Sequence, residues 1–486
     1  MTQGHAESAR GCSPQVQACL DRVSALGLEV IRVGWMDLHG HFRSKWLTPL
    51  ALESALCQGL TMVSTLALKD TSCRTAWPVF ESNGTTGLGG FGAGNNLRMW
   101  PRPASLQVLP WAPKQGWILA DLRHTDGSCV QVDGRTLLSA AVDGMAARGW
   151  RLRVGLELEF HVYRVCDRDA QLDPHGVSWP AQPPEVALVH PGYQLLNDQH
   201  ADGCSEVMST VAAVAHGLGL PLLSVEVEMG PSQFEAVFGT MDALPAADAV
   251  CEFRVGMRQA LARLGYHASF ACRPPFEHIM SSGWHLHHSV VDDATGANIW
   301  QPHHDGDARP EQANAYLSEL GSQWLAGLLT HAEAMAAIAV PTAQGYARFQ
   351  PHALAPQSAF WDVDHRGAML RVLADGASTR IENRLAEPNA NPYWLLAAHI
   401  WCGLDGVARS LVAPPAMAGF GGLAAVPLPS SLEQALAAWE SDAALRQGLG
   451  AAPLAYYAHV KRAELARRAA APDALAFDAA EYFSLS

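Results

Sequence analysis

Acidic and imidazole side chains recur in this chain at the two-residue spacing that puts them on one side of a strand. Glu157 and Glu159 form one such pair, and His285 and His287 another. Glu226, Glu228 and Glu235 flank a Gly230-Pro231 kink, and Glu382 stands between Arg380 and Arg384. A single polar pair on a strand is ordinarily a solvated face. This many, on segments bracketed by Gly-rich kinks, implies a shared site. Gathered carboxylates repel and raise one another's pKa unless cations sit between them. Oxygen-rich donor sets favour Mg²⁺ or Mn²⁺, and an imidazole in the set tilts toward tolerance of Mn²⁺. Arg348, Arg366, Arg371, Arg380 and Arg384 lie nearby in sequence. Acids for metal and arginines for phosphate oxygens are the parts of a phosphoryl-transfer site. Neither a P-loop nor a kinase glycine-rich loop is present, so the nucleotide fold is a different one.

The elements that must position these residues follow from periodicity. Residues 28–48 read as a hairpin turning at Asp37 to Gly40, residues 81–96 as a glycine-rich loop, and Trp117 to Leu122 as a short strand. From Asp133 the texture changes. Arg135 to Arg148 has helical spacing and ends at Gly149. Leu152 to Val162 alternates, with Leu152, Val154, Leu156, Leu158 and Phe160 on one face and Glu157, Glu159 and His161 on the other. Helical spacing occurs within 192–218, and strand patterns at 222–238, 285–291, 368–373 and 379–385. Ala315 to Ala339 reads as one long amphipathic helix, Pro392 to Leu411 as another, and the tail from Ser430 as Ala/Leu-rich helix. The pattern is α+β, with a small first domain over 1–130 and a larger one over 131–486.

Composition sets the class. The chain has 486 residues, 49% of them hydrophobic, enough for a large core in two or three domains. Charged residues are only 16%, a value that fits surface buried between subunits, and most of the 15 tryptophans are expected in the core or at subunit contacts. The net charge of −14 with no Lys/Arg run gives no support to nucleic-acid or anionic-membrane binding. Ten scattered cysteines without a CxxC pair read as small buried hydrophobes in a reducing cytosol. The N-terminus carries no signal-peptide pattern and no apolar run reaches membrane-spanning length, so a cytoplasmic protein is expected.

Six segments then resemble, in order, the motifs of glutamine synthetases. Glu157-Leu-Glu-Phe160 resembles their ExEF strand, Glu228-Met-Gly-Pro-Ser-Gln-Phe-Glu235 their EVAPGQxE segment, and Ser282-Gly-Trp-His-Leu-His287 their SGxHxH. Pro341 to Arg348 resembles PTxNSYKR, His365-Arg366 through Arg371 resembles NRxxxxR, and Arg380 to Tyr393 resembles RIExR followed by PxANPY. The resemblance covers residues 28–410. It implies a β-grasp-like N-terminal domain and a catalytic domain with a curved antiparallel sheet. It implies ATP and Mg²⁺ or Mn²⁺, with Glu159, Glu228 and Glu235 on one metal and Glu157, His285 and Glu382 on another beside the phosphates. It gives Arg366, Arg371 and Arg384 a role at the transferring phosphoryl group, His287 a place near the phosphates, and Arg348 the α-carboxylate of glutamate. It also implies a dodecamer of two stacked hexameric rings with each site between neighbouring subunits.

Departures from the family bear on the substrate. Ammonia-using members carry a Glu in their PGxEAP segment, where this chain reads Pro351-His-Ala-Leu-Ala-Pro356 and places Leu354. The usual Asn-Gly before Ser-Gly is Met280-Ser281, and the acidic residue of the first domain is missing, with Glu81 and Asn96 the nearest candidates. No adenylylation-type segment stands near 424–432. A cation in a site stripped of anions costs several kcal/mol. The branch this chain resembles is therefore that of γ-glutamyl-amine ligases acting on an apolar or aromatic amine, γ-glutamylanilide synthetase-like. Its acceptor site would involve Leu354, Met280, Ser281, Gly283 and Trp284, with Phe360 or Trp361 as further walls. Ammonia-dependent glutamine synthesis, γ-glutamylpolyamine synthesis and a non-catalytic structural relative are the alternatives.

Overall fold

The computed structural model describes residues 13–81, 86–166, 178–302, 309, 311–350, 354–417 and 425–484. The chain opens with helix α1 (Pro14–Ala25), capped by Ser13, whose hydroxyl accepts from the Val16 N–H. The expected hairpin forms as β1 (Val30–Met36) and β2 (Phe42–Leu47). Asp37 tightens its turn by accepting the N–H groups of His39 and His41. After α2 (Pro49–Gln58) and β3 (Leu60–Val63) the glycine-rich stretch enters β4 (Asn96–Pro101). Strands β5 (Gln107–Leu109) and β6 (Ala112–Arg123) complete a six-stranded sheet, with β1 and β6 parallel at its centre.

Helix α3 (Gly134–Ala146) leads into β7 (Trp150–Val165), the axis of a second sheet. Its alternation is as read: Leu152, Val154, Leu156, Leu158 and Phe160 are buried in the core, while Glu157 and Glu159 stay part-exposed on the other face. His161 departs from that reading. It is fully buried, with its ring beside the Ser282 hydroxyl. The chain continues through β8 (Val186–Leu188), α4 (Asp198–Gly203), α5 (Ser205–Gly217), β9 (Leu222–Val227) and β10 (Gln233–Asp242). Next come α6 (Ala243–Arg263), β11 (Tyr266–Ser269) and β12 (Trp284–Asp292).

The expected single helix over 315–339 is two, α7 (Glu319–Thr330) and α8 (Ala332–Ala339), parted at His331. The imidazole of His331 lies 2.7 Å from Asp442 Oδ2 and 2.9 Å from Asp405 Oδ2. Two acids on other elements thus hold the side chain where the helix breaks, and Ser318, not Ala315, caps the start. Short strands β13 (Ser358–Ala359), β14 (Trp361–Val363), β15 (Leu370–Leu373) and β16 (Arg380–Ala386) follow, then α9 (Pro392–Ala408). The tail forms β17 (Val426–Pro427), α10 (Leu432–Ser441), α11 (Ala443–Leu449), α12 (Ala451–Ala470) and α13 (Ala474–Asp478).

The second sheet is curled and nine-stranded, running β14-β15-β16-β12-β7-β10-β9 with β8 and β11 also on β7. All its pairings are antiparallel except β14 with β15. Asn391 joins the two sheets: its side chain caps α9 through the N–H groups of Tyr393 and Trp394 and donates to the carbonyls of Asp37 and Leu38. The tryptophans are largely core. Trp117, Trp284, Trp300, Trp324, Trp361, Trp394 and Trp439 are fully buried within the single chain, the core half of the core-or-contact reading. The cysteine reading is also corrected, since Cys129 and Cys166 are exposed and Cys57 is disulfide-bonded. Among the described residues no helix is long and apolar enough to cross a membrane. Residues 1–12, on which the absence of a signal peptide was read, and 351–353, which precede Leu354, lie outside the described residues.

Candidate active site

Register across the second sheet sets the acids side by side. Glu226, Glu235 and Glu159 are cross-strand partners on β9, β10 and β7. Glu157 faces His285 on β12, and His287 faces Glu382 on β16, which in turn faces Arg371 on β15. Opposite His287 on β7 stands Gly155, whose missing side chain leaves that row open. Between Trp284 and Leu286 the pairing of β12 with β16 slips, a local irregularity of the kind that re-aims side chains beside active sites.

The result is a compact acidic cluster. His285 Nδ1 lies 3.1 Å from Glu157 Oε2 and 3.8 Å from both Glu235 Oε1 and Glu382 Oε1, and its Nε2 lies 3.8 Å from Glu159 Oε1. His287 Nε2 is 3.0 Å from Glu157 Oε1. Arg371 Nη1 donates to Glu382 Oε2 at 2.9 Å, and Arg384 donates to the other oxygen. The gradient of charge across the site is steep. Burial and the Glu159 charge push the Glu235 carboxyl up to about 9, and burial with the Glu228 charge pushes Glu159 up to about 8. Burial raises Glu228 as well. At the other end burial also acts on Glu382, but His285 and Arg384 outweigh it and hold that carboxyl below its ordinary value. His285 is pushed down to about 4 by burial and by Arg384, so its imidazole is neutral and able to ligate.

This donor set fits divalent cations. Ligand atoms of Glu157, Glu235 and His285 lie within 4.8 Å of one another, as do those of Glu157, His287 and Glu382. Oxygen-rich donors with one imidazole suit Mg²⁺ or Mn²⁺, and a cation would offset the burial and repulsion that keep Glu159 and Glu235 protonated. The grouping differs from the one the resemblance implies: Glu157 is shared by both sets, and His287 joins the donors.

Other site residues sit as follows. Gly283 donates its N–H to Glu159 Oε2 at 2.8 Å. A Cβ there would come within 3.0 Å of Arg348 Nη2 and 3.3 Å of His285 Nε2, so a larger residue would press on both side chains. Arg348 is buried and donates to the carbonyls of Arg384, Leu385 and Ala386. Met280 packs against Gly230, two residues from Glu228, and Ser281 accepts from Arg273. Arg366 is exposed on the turn between β14 and β15. Leu354 is 60% exposed with a left-handed backbone, φ +53°. Trp284 is not an acceptor wall: it lies on the core face of β12, one residue out of phase with His285. Trp361 is likewise buried, its indole donating to Pro414 O, while Phe360 is half-buried. Glu81 and Asn96 are exposed, and no contact with the cluster is seen among the described residues.

Two contributors escaped the sequence reading. Gln233 is buried, and its amide donates to Glu159 Oε2, Ser281 O and Ser282 Oγ while its oxygen accepts from Gly230. Its place two residues before Glu235 on the same strand face was the available signal. Asp364 accepts from Arg371, and nothing local in sequence marks it. Beside His287 and Arg380 opens a cleft of about 470 Å³, lined also by Gly155, Asn298, Gln301 and Ser378.

Residues 131–480 match the family described as glutamine synthetase, catalytic domain. The chain is 37% identical over 465 residues to a γ-glutamylanilide synthase from an Acinetobacter species, covering 92% of this chain and 89% of that protein. It is 27% identical over 448 residues to a γ-glutamylethanolamide synthetase of Streptomyces coelicolor, covering 91% and 90%. Among solved structures it is similar to a GmaS/ADP complex, with a TM-score of 0.75 and 26% identity over 94% of this chain and 97% of that one.

Proposed function

The chain belongs to the glutamine synthetase family and is an ATP-dependent glutamate–amine ligase, and on that premise we propose that its acceptor is a neutral, apolar amine such as an arylamine. The observation that carries the ligase reading is the row of cross-strand partners that sets Glu157, Glu159, Glu235, His285 and Glu382 on one face with Arg371 and Arg384 at its edge. In the proposed reaction the γ-phosphoryl group of ATP passes to the γ-carboxylate of glutamate, and ADP leaves. The amine nitrogen then attacks the acyl phosphate, phosphate departs, and the amine gives up a proton. Mg²⁺ or Mn²⁺ held by Glu157, Glu159, Glu228, Glu235, His285 and Glu382 would supply charge neutralisation. Arg371, Arg384 and, from the β14–β15 turn, Arg366 neutralise the transferring group. Arg348 takes the α-carboxylate of glutamate, and the cleft beside His287 takes the nucleotide.

Electrostatics supports the choice of acceptor. An alkylamine is a cation at neutral pH and needs both an anion to bind it and a base to deprotonate it. An arylamine is already neutral and gains about 25 cal/mol per Å² of apolar surface buried. Leu354 in place of an acid suits the second, and the 37% identity to a γ-glutamylanilide synthase points the same way. Steady-state kinetics with aniline, ethylamine, putrescine and ammonium tests this. Aniline is expected to give the highest kcat/KM; a higher value for ammonium or putrescine overturns the apolar reading. Leu354→Glu is expected to lose arylamine turnover and gain some with ammonium.

A further inference from the structure

Directly behind Arg348 lies a carboxylate that the reaction described above does not use. Glu387 is wholly buried, one residue past the carbonyls of Leu385 and Ala386 that Arg348 Nη1 holds at 2.7 and 2.8 Å. Its Oε1 accepts from the Thr342 hydroxyl at 2.8 Å. Its Oε2 has no hydrogen-bond partner among the described residues, and the Cys272 thiol lies beside the carboxyl. The turn Ala343–Arg348 lies flush on this carboxylate: a Cβ at Gly345 would come within 2.0 Å of Oε2. Glu387 is itself fixed by its N–H, which donates to Ala339 O at the end of α8. A buried carboxylate left short of donors is costly. Burial pushes the Glu387 carboxyl up to about 7, against the Thr342 hydrogen bond and the positive charges of Arg348, buried on the same turn, and of Lys461.

We infer that Glu387 is a positioning residue for glutamate binding, the buried carboxyl that holds the Thr342–Arg348 turn and so sets the Arg348 guanidinium beside Gly283. This rests on the reading of Arg348 as the group that takes the α-carboxylate. Three of the five guanidinium N–H groups go to backbone carbonyls, so two remain for a ligand. Their aim depends on the turn, and the turn depends on Glu387. Gly345 serves the same end, since any larger residue would lift the turn off the carboxylate.

The test uses the purified full-length enzyme with ATP, glutamate and the best acceptor amine. Glu387→Gln is expected to raise the KM for glutamate about tenfold while leaving the KM for ATP and the kcat at saturating glutamate within about threefold. Glu387→Asp keeps the carboxyl and is expected to recover part of the loss, which also covers the case in which the amide variant folds poorly. Combined with Arg348→Lys, Glu387→Gln is expected to add little to the effect of Arg348→Lys alone, because the two act as one unit. An unchanged glutamate KM in Glu387→Gln overturns the inference, as does an equal rise for ATP and glutamate. If Arg348→Lys raises the glutamate KM and Glu387→Gln does not, only the positioning role falls. If neither moves it, the assignment of Arg348 falls as well.

Discussion

Glu382 is wholly buried, yet it binds two arginines, Arg371 and Arg384, and has an imidazole 3.8 Å away. Glu235 has the opposite surroundings, four other carboxylates and no arginine among its principal neighbours. The two acids should therefore respond differently to the same isosteric change. Glu382→Gln leaves the buried Arg384 and the part-buried Arg371 short of charge, and is expected to cut kcat at least about 100-fold and lower the melting temperature. Glu235→Gln replaces a carboxyl that is already protonated without a cation, and is expected to keep the melting temperature in EDTA while weakening Mn²⁺ binding about tenfold or more. Calorimetric Mn²⁺ titration and thermal melts with and without EDTA check both. EDTA itself is expected to abolish turnover of the parent enzyme. At this scale a two-residue period fixes which side chains share a face, and the fold brings Glu157, Glu159, Glu235 and Glu382 around His285. The sequence reading misplaced Trp284 as an acceptor wall, since the residue next to His285 on a strand faces the core.

Helix α7 ends at His331 because its imidazole bridges Asp405 on α9 and Asp442 at the start of α11. A neutral imidazole has one N–H, so two carboxylate partners call for the protonated form. Burial works against that charge, but hydrogen bonds to Asp442 and Asp405 outweigh it and raise the His331 pKa. The facing groups are these two acids, Arg409 on Asp405, and the buried Cys402 thiol. A pKa raised on folding stabilises fully below the ordinary imidazole value and is lost as pH rises through the folded one. The expected outcome is a melting temperature that falls from about pH 6.5 upward, with the dependence flattened in His331→Gln. Melts of both proteins between pH 6 and 9 check it. Close packing of α7 on α9 offers a second test. A Cβ at Gly406 would meet Gln323 O at 2.2 Å, so Gly406→Ala is expected to cost about 3 kcal/mol in a denaturant titration. Neither the helix break nor this contact shows in local sequence, because both partners come from distant segments.

A single chain leaves Trp46 59% exposed, Leu50 94% and Leu223 70%, on the hairpin, on α2 and on the edge strand β9. Apolar surface of this kind on separate faces suits a closed ring in which each subunit covers its neighbours, and we propose the dodecamer of two hexameric rings that the family resemblance implies. Light scattering of the purified protein is expected to give a mass near twelve chains, and a stable, active monomer would refute it. Mutation of Trp46 to a charged residue is expected to lower both mass and activity together if sites lie between subunits. The assembly, the division into domains at about residue 130 and a cytoplasmic location are proposals on the same footing.

What the sequence determined by itself was the chemistry: acids and histidines at strand period, arginines after them, and a set of ordered motifs that fix the family. Alternation decides which side chains share a face, and that is a local property. The hairpin at Asp37 to Gly40 and the strand carrying Glu157 and Glu159 were legible for the same reason. What only the tertiary structure decided was which of those faces meet. Strand order placed His285 against Glu157 and Glu382 against His287, so that Glu157 serves both donor sets. It also brought Gln233 under Glu159, Asp364 to Arg371 and Glu387 beneath the turn of Arg348. These are contacts between segments up to 128 residues apart, set by sheet register and core packing, and no local period encodes them.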